Sequence, residues 1–137
     1  MATRKLLELM LTEKYGEVTS EYSHLLSKLK QLCQPDLYSL FESKENLLEI
    51  SKYKIYAIQI VAKWFQLGTD LKRVVCMMAF AECMFDIWIG DDRRRSRAKW
   101  FVDCISTYFK SRGVDCWINE NGGWVELIEN ATRMCNK

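Results

Sequence analysis

The chain has 137 residues, of which 49% are hydrophobic and 28% charged, and this composition predicts one globular domain over residues 1–137 rather than a disordered segment. Its formal net charge of +2 is too small to indicate nucleic acid or an acidic membrane as the main partner. No run reaches the roughly 18 apolar residues of a membrane span, and the N-terminal stretch is too polar for a secretory signal. We therefore expect a cytoplasmic protein without a membrane span.

The first third of the chain has the apolar spacing of helices. This spacing predicts helices over residues 4–15 and 20–33, of which the first ends at Gly16 and the second before Pro35. A third, short helix is expected to follow, with its apolar side chains at Leu37, Leu40 and Phe41.

Residues 46–66 give a mixed signal. The stretch KYKIYAIQI alternates in the manner of a strand, but a helical stripe continues through it for about twenty residues. We therefore predict one helix, ended by Gly68. Its stripe consists of Leu47, Leu48, Ile55, Ile58, Ala62 and Phe65.

The most apolar segment covers residues 70–89, with Asp70 as a good helix cap and Gly90 as a good stop. A helix that is hydrophobic almost all round is buried on most sides, so we predict the central helix of a bundle. Glu82 and Asp86 share one face of this helix, where we expect a helix–helix contact.

A further helix is predicted to begin at Asp91 and to end at Gly113, and two short helices are predicted on either side of the Gly122-Gly123 pair. The total is about eight helices around the hydrophobic central helix at about 70–89. The predicted fold class is therefore all-α.

Residues with catalytic or metal-binding chemistry are sparse. No two of the six cysteines have C-x-x-C spacing, and His24 is the only histidine, so we expect no metal and no cofactor. Nucleophile and phosphate-loop motifs are absent, which indicates that the chain is not an enzyme. The basic run RRRSRAK at 93–99 could be a nucleic-acid or nuclear-import patch, but two preceding acids favour a solvated helix face. We expect no nucleic-acid partner.

Two segments resemble the homology motifs of the Bcl-2 family. WINENGGW at 117–124 is similar to the second motif almost residue for residue, and GTDLKRVVCMMAF at 68–80 resembles the first motif, which reads Asn-Trp-Gly-Arg before a hydrophobic helix. The spacing between the two segments also fits. The short length, with no tail anchor, resembles that of a compact viral homologue, and an iridovirus is one origin that this resemblance suggests.

This resemblance implies a Bcl-2-like helical bundle with a groove that takes the BH3 helix of a pro-apoptotic partner. The motif's Arg, which pairs with an Asp of that helix, corresponds to Arg73, and a guanidinium suits this role because it can bind a carboxylate through two hydrogen bonds. Asp70, Leu71 and Lys72 stand where the motif has Asn, Trp and Gly. Their added bulk and charge predict an altered choice of ligand.

The resemblance assigns further residues to the groove and to the second motif. Ile60, Lys63 and Trp64 are expected to line the groove, Phe80 to lie along its floor, and Leu37 and Phe41 to form a wall. A mainly structural role is expected for the second motif's Trp117, Gly122, Gly123 and Trp124.

The resemblance predicts a pro-survival protein that inhibits host-cell apoptosis by sequestering BH3 motifs. The chain's own segment LKQLCQP at 29–35 is a poor BH3 motif, because Cys33 and Gln34 replace the small residue and the Asp, which argues against a killer protein. In the alternative, a viral protein of this fold modulates immune signalling or self-associates through other faces. Since an empty apolar groove could be covered by a second copy, a homodimer is compatible with either reading. The expected location is the host cytoplasm, with recruitment to mitochondria through partners.

Overall fold

The computed structural model describes residues 1–16, 20–33, 44–66 and 68–135. Within these ranges the chain forms eight helices and no strand, which confirms the predicted all-α class. The helices are α1 (Thr3–Lys14), α2 (Ser20–Cys33), α3 (Lys44–Ser51), α4 (Lys54–Phe65), α5 (Leu71–Ile89), α6 (Ser96–Ser111), α7 (Val114–Glu120) and α8 (Gly123–Cys135). The short helix predicted at Leu37, Leu40 and Phe41 lies outside the described residues.

Helix α5 is the most buried element, as its nearly continuous apolar sequence predicts. It packs against α1, α2, α3, α4 and α6. Phe80, Phe85 and Trp88 of α5 surround Phe101 of α6, with ring centroids 6.0, 6.2 and 5.5 Å from it in edge-to-face geometry. None of the helices in the described ranges combines the length and the apolarity needed to cross a membrane.

The single helix predicted over 46–66 is wrong, because the chain breaks between α3 and α4 at Lys52 and Tyr53. The break is held by tertiary hydrogen bonds. The indole of Trp88 donates to the Ser51 carbonyl at 2.9 Å, and the guanidinium of Arg97 donates to the carbonyls of Ser51 and Lys52 at 2.9 and 2.7 Å. These donors satisfy carbonyl groups that a continuous helix would use internally.

The basic run at 93–99 is not wholly helical, because 93–95 lie in turns and α6 begins only at Ser96. Side-chain hydrogen bonds of the two preceding acids stabilise these turns. The carboxylate of Asp91 accepts the backbone N–H of Arg93 at 3.0 Å, and that of Asp92 accepts the guanidinium of Arg95 at 2.7 Å. Such local bonds compete with helix formation, so Asp91 and Asp92 precede the helix instead of opening it.

An ion cluster joins α1 to α5. The ammonium of Lys14 pairs with the carboxylates of Glu82 and Asp86, the latter at 2.6 Å, which confirms the helix–helix contact predicted for these acids. Burial alone would lower the pKa of Lys14, but the hydrogen bonds to the carboxylates of Asp86 and Glu82 and the charges of these carboxylates together outweigh it, and the pKa is raised.

A hydrogen-bonded threonine connects the first described helix with the last two. The hydroxyl of Thr3 in α1 donates to the carboxylate of Asp115 in α7 at 2.6 Å and accepts from the indole of Trp124 in α8 at 3.0 Å. Thr3 and Trp124 are both buried. This chain of bonds satisfies the polar atoms of the two buried side chains, which folding removes from water.

Candidate functional site

The best-defined feature of the candidate site is an ion pair at the start of α5. Asp70 caps the helix by accepting the backbone N–H of Arg73 at 2.8 Å, and its second carboxylate oxygen accepts the Arg73 guanidinium at 2.7 Å. The Arg73 side chain is 33% exposed. The predicted binding arginine is therefore at the surface, oriented by the acid that replaces the motif's Asn.

The two residues between this pair differ in their surroundings. Lys72 is exposed, so it adds a second positive charge beside Arg73. Leu71 is half-buried and packs against the hydrophobic core. Leu71 thus takes an apolar packing position even though it lacks the ring that the resemblance would place there.

The predicted residues of α4 form one face of that helix. Ile60 and Trp64 are half-buried and one turn apart, and Lys63 between them is exposed. The Trp64 ring stands edge-on to Phe80 of α5, with the centroids 5.5 Å apart and the planes at 89°. This contact connects the α4 face to the same helix that carries Arg73.

Phe80 is fully buried and lies between Trp64 and Phe101. It is seven residues, or about two turns, after Arg73 on the same face of α5. In this state the Trp64 ring covers it, so a ligand on this face meets Trp64 before it meets Phe80. The predicted wall residues Leu37 and Phe41 lie outside the described residues.

Three further residues extend this surface and were missed in the sequence. Cys76, half-buried, follows Arg73 by three positions on α5. Tyr56 precedes Ile60 by four and is exposed, and its ring contacts Tyr53 with centroids 5.1 Å apart. The i, i+3 and i, i+4 spacings were a usable signal for Cys76 and Tyr56. Tyr53 could not be found in this way, because it lies at the unforeseen break between α3 and α4.

The charge of this surface is mainly positive. Arg73, Lys72 and Lys63 contribute three cations, and Asp70 is the one acid among the predicted groove residues. Asp70 is already bonded to Arg73. A ligand helix that carries a carboxylate would therefore be attracted to this surface, and it would share Arg73 with Asp70.

A cavity of about 440 Å³ opens between α4 and α6. It shares Lys63 with the predicted groove residues. The cavity is lined by Gln59, Ala62, Lys63, Phe65, Gln66, Tyr108 and Arg112.

The segment that resembles the second motif forms the connection between α7 and α8. Gly122 and Gly123 have φ angles of +96° and +86°, which side chains rarely adopt. A Cβ at Gly122 would also lie 2.8 Å from Cγ of Glu126. Trp124 is buried and its indole donates a hydrogen bond to Thr3, while Trp117 is half-buried against the core. All four residues lie at or beside this turn, and their mainly structural role stays a prediction.

In the described parts of the chain, no cluster of three His, Cys, Asp or Glu side chains could hold a metal ion. Cys83 is buried near two acids. Burial, followed by the charges of Asp86 and Glu82, raises the pKa of its thiol to about 12. This thiol therefore stays protonated at neutral pH.

Comparisons with protein families, with curated proteins and with solved structures find no match to this chain.

Proposed function

We propose that the chain is a pro-survival protein of the Bcl-2 type, which inhibits apoptosis of a host cell by holding BH3 helices of pro-apoptotic proteins. The observation that carries the proposal is Arg73, 33% exposed on the first turn of the most buried helix, together with the partly exposed apolar face of α4, whose Trp64 contacts Phe80 of that same helix. This combination of one oriented cation and an apolar face packed on the same helix suits an amphipathic helix with an acid among its apolar anchors.

The order of the helices also supports the proposal. The segment that resembles the first motif leads into α5, which packs against five other helices. The segment that resembles the second motif covers the end of α7, the glycine turn and the start of α8. A Bcl-2-like bundle would have this arrangement.

The mechanism is occupancy rather than catalysis. Apolar side chains of the ligand, spaced about one turn apart, would pack along Ile60 and Trp64, and the ligand's carboxylate would pair with Arg73. A partner held in this way cannot take part in permeabilising mitochondria. The protein would act in the cytoplasm and reach mitochondria through its partners.

Asp70 gives this groove a specific character. Its carboxylate is bonded to Arg73, so a ligand acid must share or displace it. A ligand whose acid is poorly positioned for Arg73 would not displace Asp70 from it, so fewer partners would bind. Lys72, exposed beside the pair, would offset part of the repulsion between Asp70 and the ligand.

The test is a titration of labelled BH3 peptides from several pro-apoptotic proteins with the purified chain. We expect sub-micromolar binding to at least one peptide and about a tenfold or greater loss for Arg73→Ala, because a charge-assisted hydrogen bond is removed. Asp70→Asn should strengthen binding, since Asn preserves the helix cap but removes the competing charge.

Arg94→Ala is the matched control. Arg94 is also 33% exposed and also pairs with an acid three residues earlier, Asp91, at 3.5 Å. This variant should bind like the wild type. If the folded chain binds no peptide of the panel, or if both arginine variants lose affinity equally, the sequestration proposal is wrong.

A second candidate function is favoured by the burial of Phe80. If Trp64 keeps covering this residue, the groove remains closed, and a protein of the same fold would modulate immune signalling or self-associate through another face. Sedimentation at several concentrations would detect self-association. A closed groove would be indicated by an absence of peptide binding even in Trp64→Ala.

A further inference from the structure

The end of the molecule where α3 meets α4 carries an uneven distribution of charge and apolar surface. We define the basic corner as residues 48–56, at the α3–α4 break, together with residues 91–97, which connect α5 to α6. Arg97 bonds the Ser51 and Lys52 carbonyls, which brings the two segments together. The Lys54 ammonium lies 5.2 Å from the centre of the Trp100 ring just beyond them.

Positive charge is concentrated in the basic corner. It contains six cationic and three acidic side chains, an excess of three on a chain whose formal net charge is +2. The three acids are already paired within the corner, Glu49 with Lys52, Asp91 with Arg94 and Asp92 with Arg95. Arg97 bonds backbone carbonyls rather than carboxylates, so an uncompensated field remains.

Large apolar side chains are exposed among these cations. Ile55 is 61% exposed and Tyr53 56%, and Tyr56 and Leu48 are exposed as well. Four of the seven exposed large hydrophobic residues of the described chain thus lie within one nine-residue segment. Such a concentration marks an interaction surface, whereas single exposed apolar residues need no explanation.

We propose that the basic corner binds the surface of an anionic membrane, with Ile55 and the two tyrosines at the level of the headgroups and the surrounding cations on lipid phosphates and carboxylates. Tyrosine is enriched at membrane interfaces because one end of its ring is apolar and the other polar. Basic residues near an anionic leaflet add attraction that falls off within a Debye length. Peripheral binding strengthens with both the apolar area buried in the membrane and the attraction to anionic lipids.

The apolar residues favour a membrane over nucleic acid. Cations alone would suit phosphates of either kind, and tyrosine rings could stack on bases. The aliphatic side chains of Ile55 and Leu48, however, gain most by leaving water for an apolar phase. This inference does not depend on BH3 binding, because the basic corner shares only Tyr53 and Tyr56 with the candidate site and includes none of the residues predicted to line the groove.

The experiment is sedimentation of the full chain with vesicles of phosphatidylcholine alone or mixed with phosphatidylserine at about 2:1. We expect binding to the anionic vesicles, weakened by added salt. Arg93→Gln/Arg95→Gln should bind about thirtyfold more weakly, since each basic residue near the surface contributes roughly fivefold. Tyr53→Ser/Ile55→Ser should also bind more weakly although its charge is unchanged.

Lys110→Gln/Arg112→Gln is the control, because it removes the same charge at the opposite end of α6, roughly 20 Å away. It should bind within about twofold of the wild type, and circular dichroism should show that all variants are folded. The proposal is overturned if the folded chain does not sediment with anionic vesicles, or if the control loses as much affinity as Arg93→Gln/Arg95→Gln. It is also overturned if duplex DNA competes fully while the Tyr53/Ile55 variant behaves as wild type, or if a concentration-dependent dimer covers the corner.

Discussion

The thiol of Cys83 illustrates how a single residue responds to its surroundings on α5. It is buried, and its neighbours Glu82 and Asp86 add negative charge, so the pKa of the thiol rises from an ordinary 9.0 to about 12. The folded chain therefore holds a proton that the unfolded chain releases above pH 9. The contribution of this thiol to the unfolding free energy is fully present below pH 9 and decreases as the pH rises toward 12.

We predict that the wild type loses about 1.4 kcal/mol of unfolding free energy through this thiol between pH 8 and pH 10. Urea unfolding at the two pH values measures the loss. Cys83→Ala should show a flatter dependence on pH, even if the lost side chain lowers its stability at both values. Cys116→Ala, which removes an exposed thiol, should keep the wild-type slope. Equal slopes for wild type and Cys83→Ala would show that the thiol does not titrate as described.

At the scale of the helices, the contact of α1 with α5 depends on charges as well as on apolar packing. The Lys14 and Glu82 side chains are only 12% and 15% exposed, whereas Asp86 is 61% exposed. Removal of Lys14 would leave the Glu82 carboxylate poorly hydrated and without its cation. An isolated buried charge costs more than the pair contributes when intact.

Lys14→Met should therefore lower the unfolding free energy by about 3 kcal/mol, measured by urea denaturation at neutral pH. Lys14→Met/Glu82→Leu should recover much of this loss, because it removes the stranded acid as well. Lys28→Met tests a more exposed ion pair, in which Lys28 lies 3.4 Å from Glu129. This variant should lower the unfolding free energy by less than about 1 kcal/mol. Similar losses for the two single variants would contradict the role of burial.

The helices themselves could be predicted well where apolar periodicity and caps agree. Asp70 and Gly90 delimit α5 in the sequence as they do in the structure, and the shared face of Glu82 and Asp86 indicated their contact. The break after Ser51 could not be predicted, because its hydrogen-bond donors are 37 and 46 residues away in the chain. Local sequence patterns do not indicate such distant hydrogen-bond partners.

The candidate site shows the same division between local and distant effects. The surface position of Arg73 follows from the helix start, and its bond to Asp70 from a spacing of three residues. The covering of Phe80 by Trp64 depends on how α4 lies against α5, which periodicity does not determine. Sequence reasoning could therefore select the residues of the two faces but not which of them would be accessible.

At the scale of the whole molecule, Thr3 connects the first helix with the last two. Its hydroxyl is the shared partner of the Asp115 carboxylate and the Trp124 indole. A buried indole N–H without an acceptor loses the hydrogen bonds that water would supply. The connection of α1 with α7 and α8 thus depends on one small polar group among buried side chains.

Thr3→Val, which keeps the shape but removes the hydroxyl, should lower the unfolding free energy by about 1–3 kcal/mol. Thermal or urea unfolding followed by tryptophan fluorescence measures the change. Thr12→Val is the matched control on the same helix, because the Thr12 hydroxyl bonds the Glu8 carbonyl of its own helix at 2.7 Å. It should change stability by less than about 0.5 kcal/mol. If Thr3→Val is as stable as Thr12→Val, the Thr3 hydroxyl does not stabilise this junction.

The carbonyl of Ser51 has a further consequence for molecular recognition. It accepts hydrogen bonds from two helices at once, through Trp88 and Arg97, so the chain beside it is positioned during folding. Any partner that docks at Tyr53 and Ile55 meets side chains on an anchored backbone. The conformational entropy of ordering that backbone is then a cost of folding, not of association, and a small contact area can yield useful affinity.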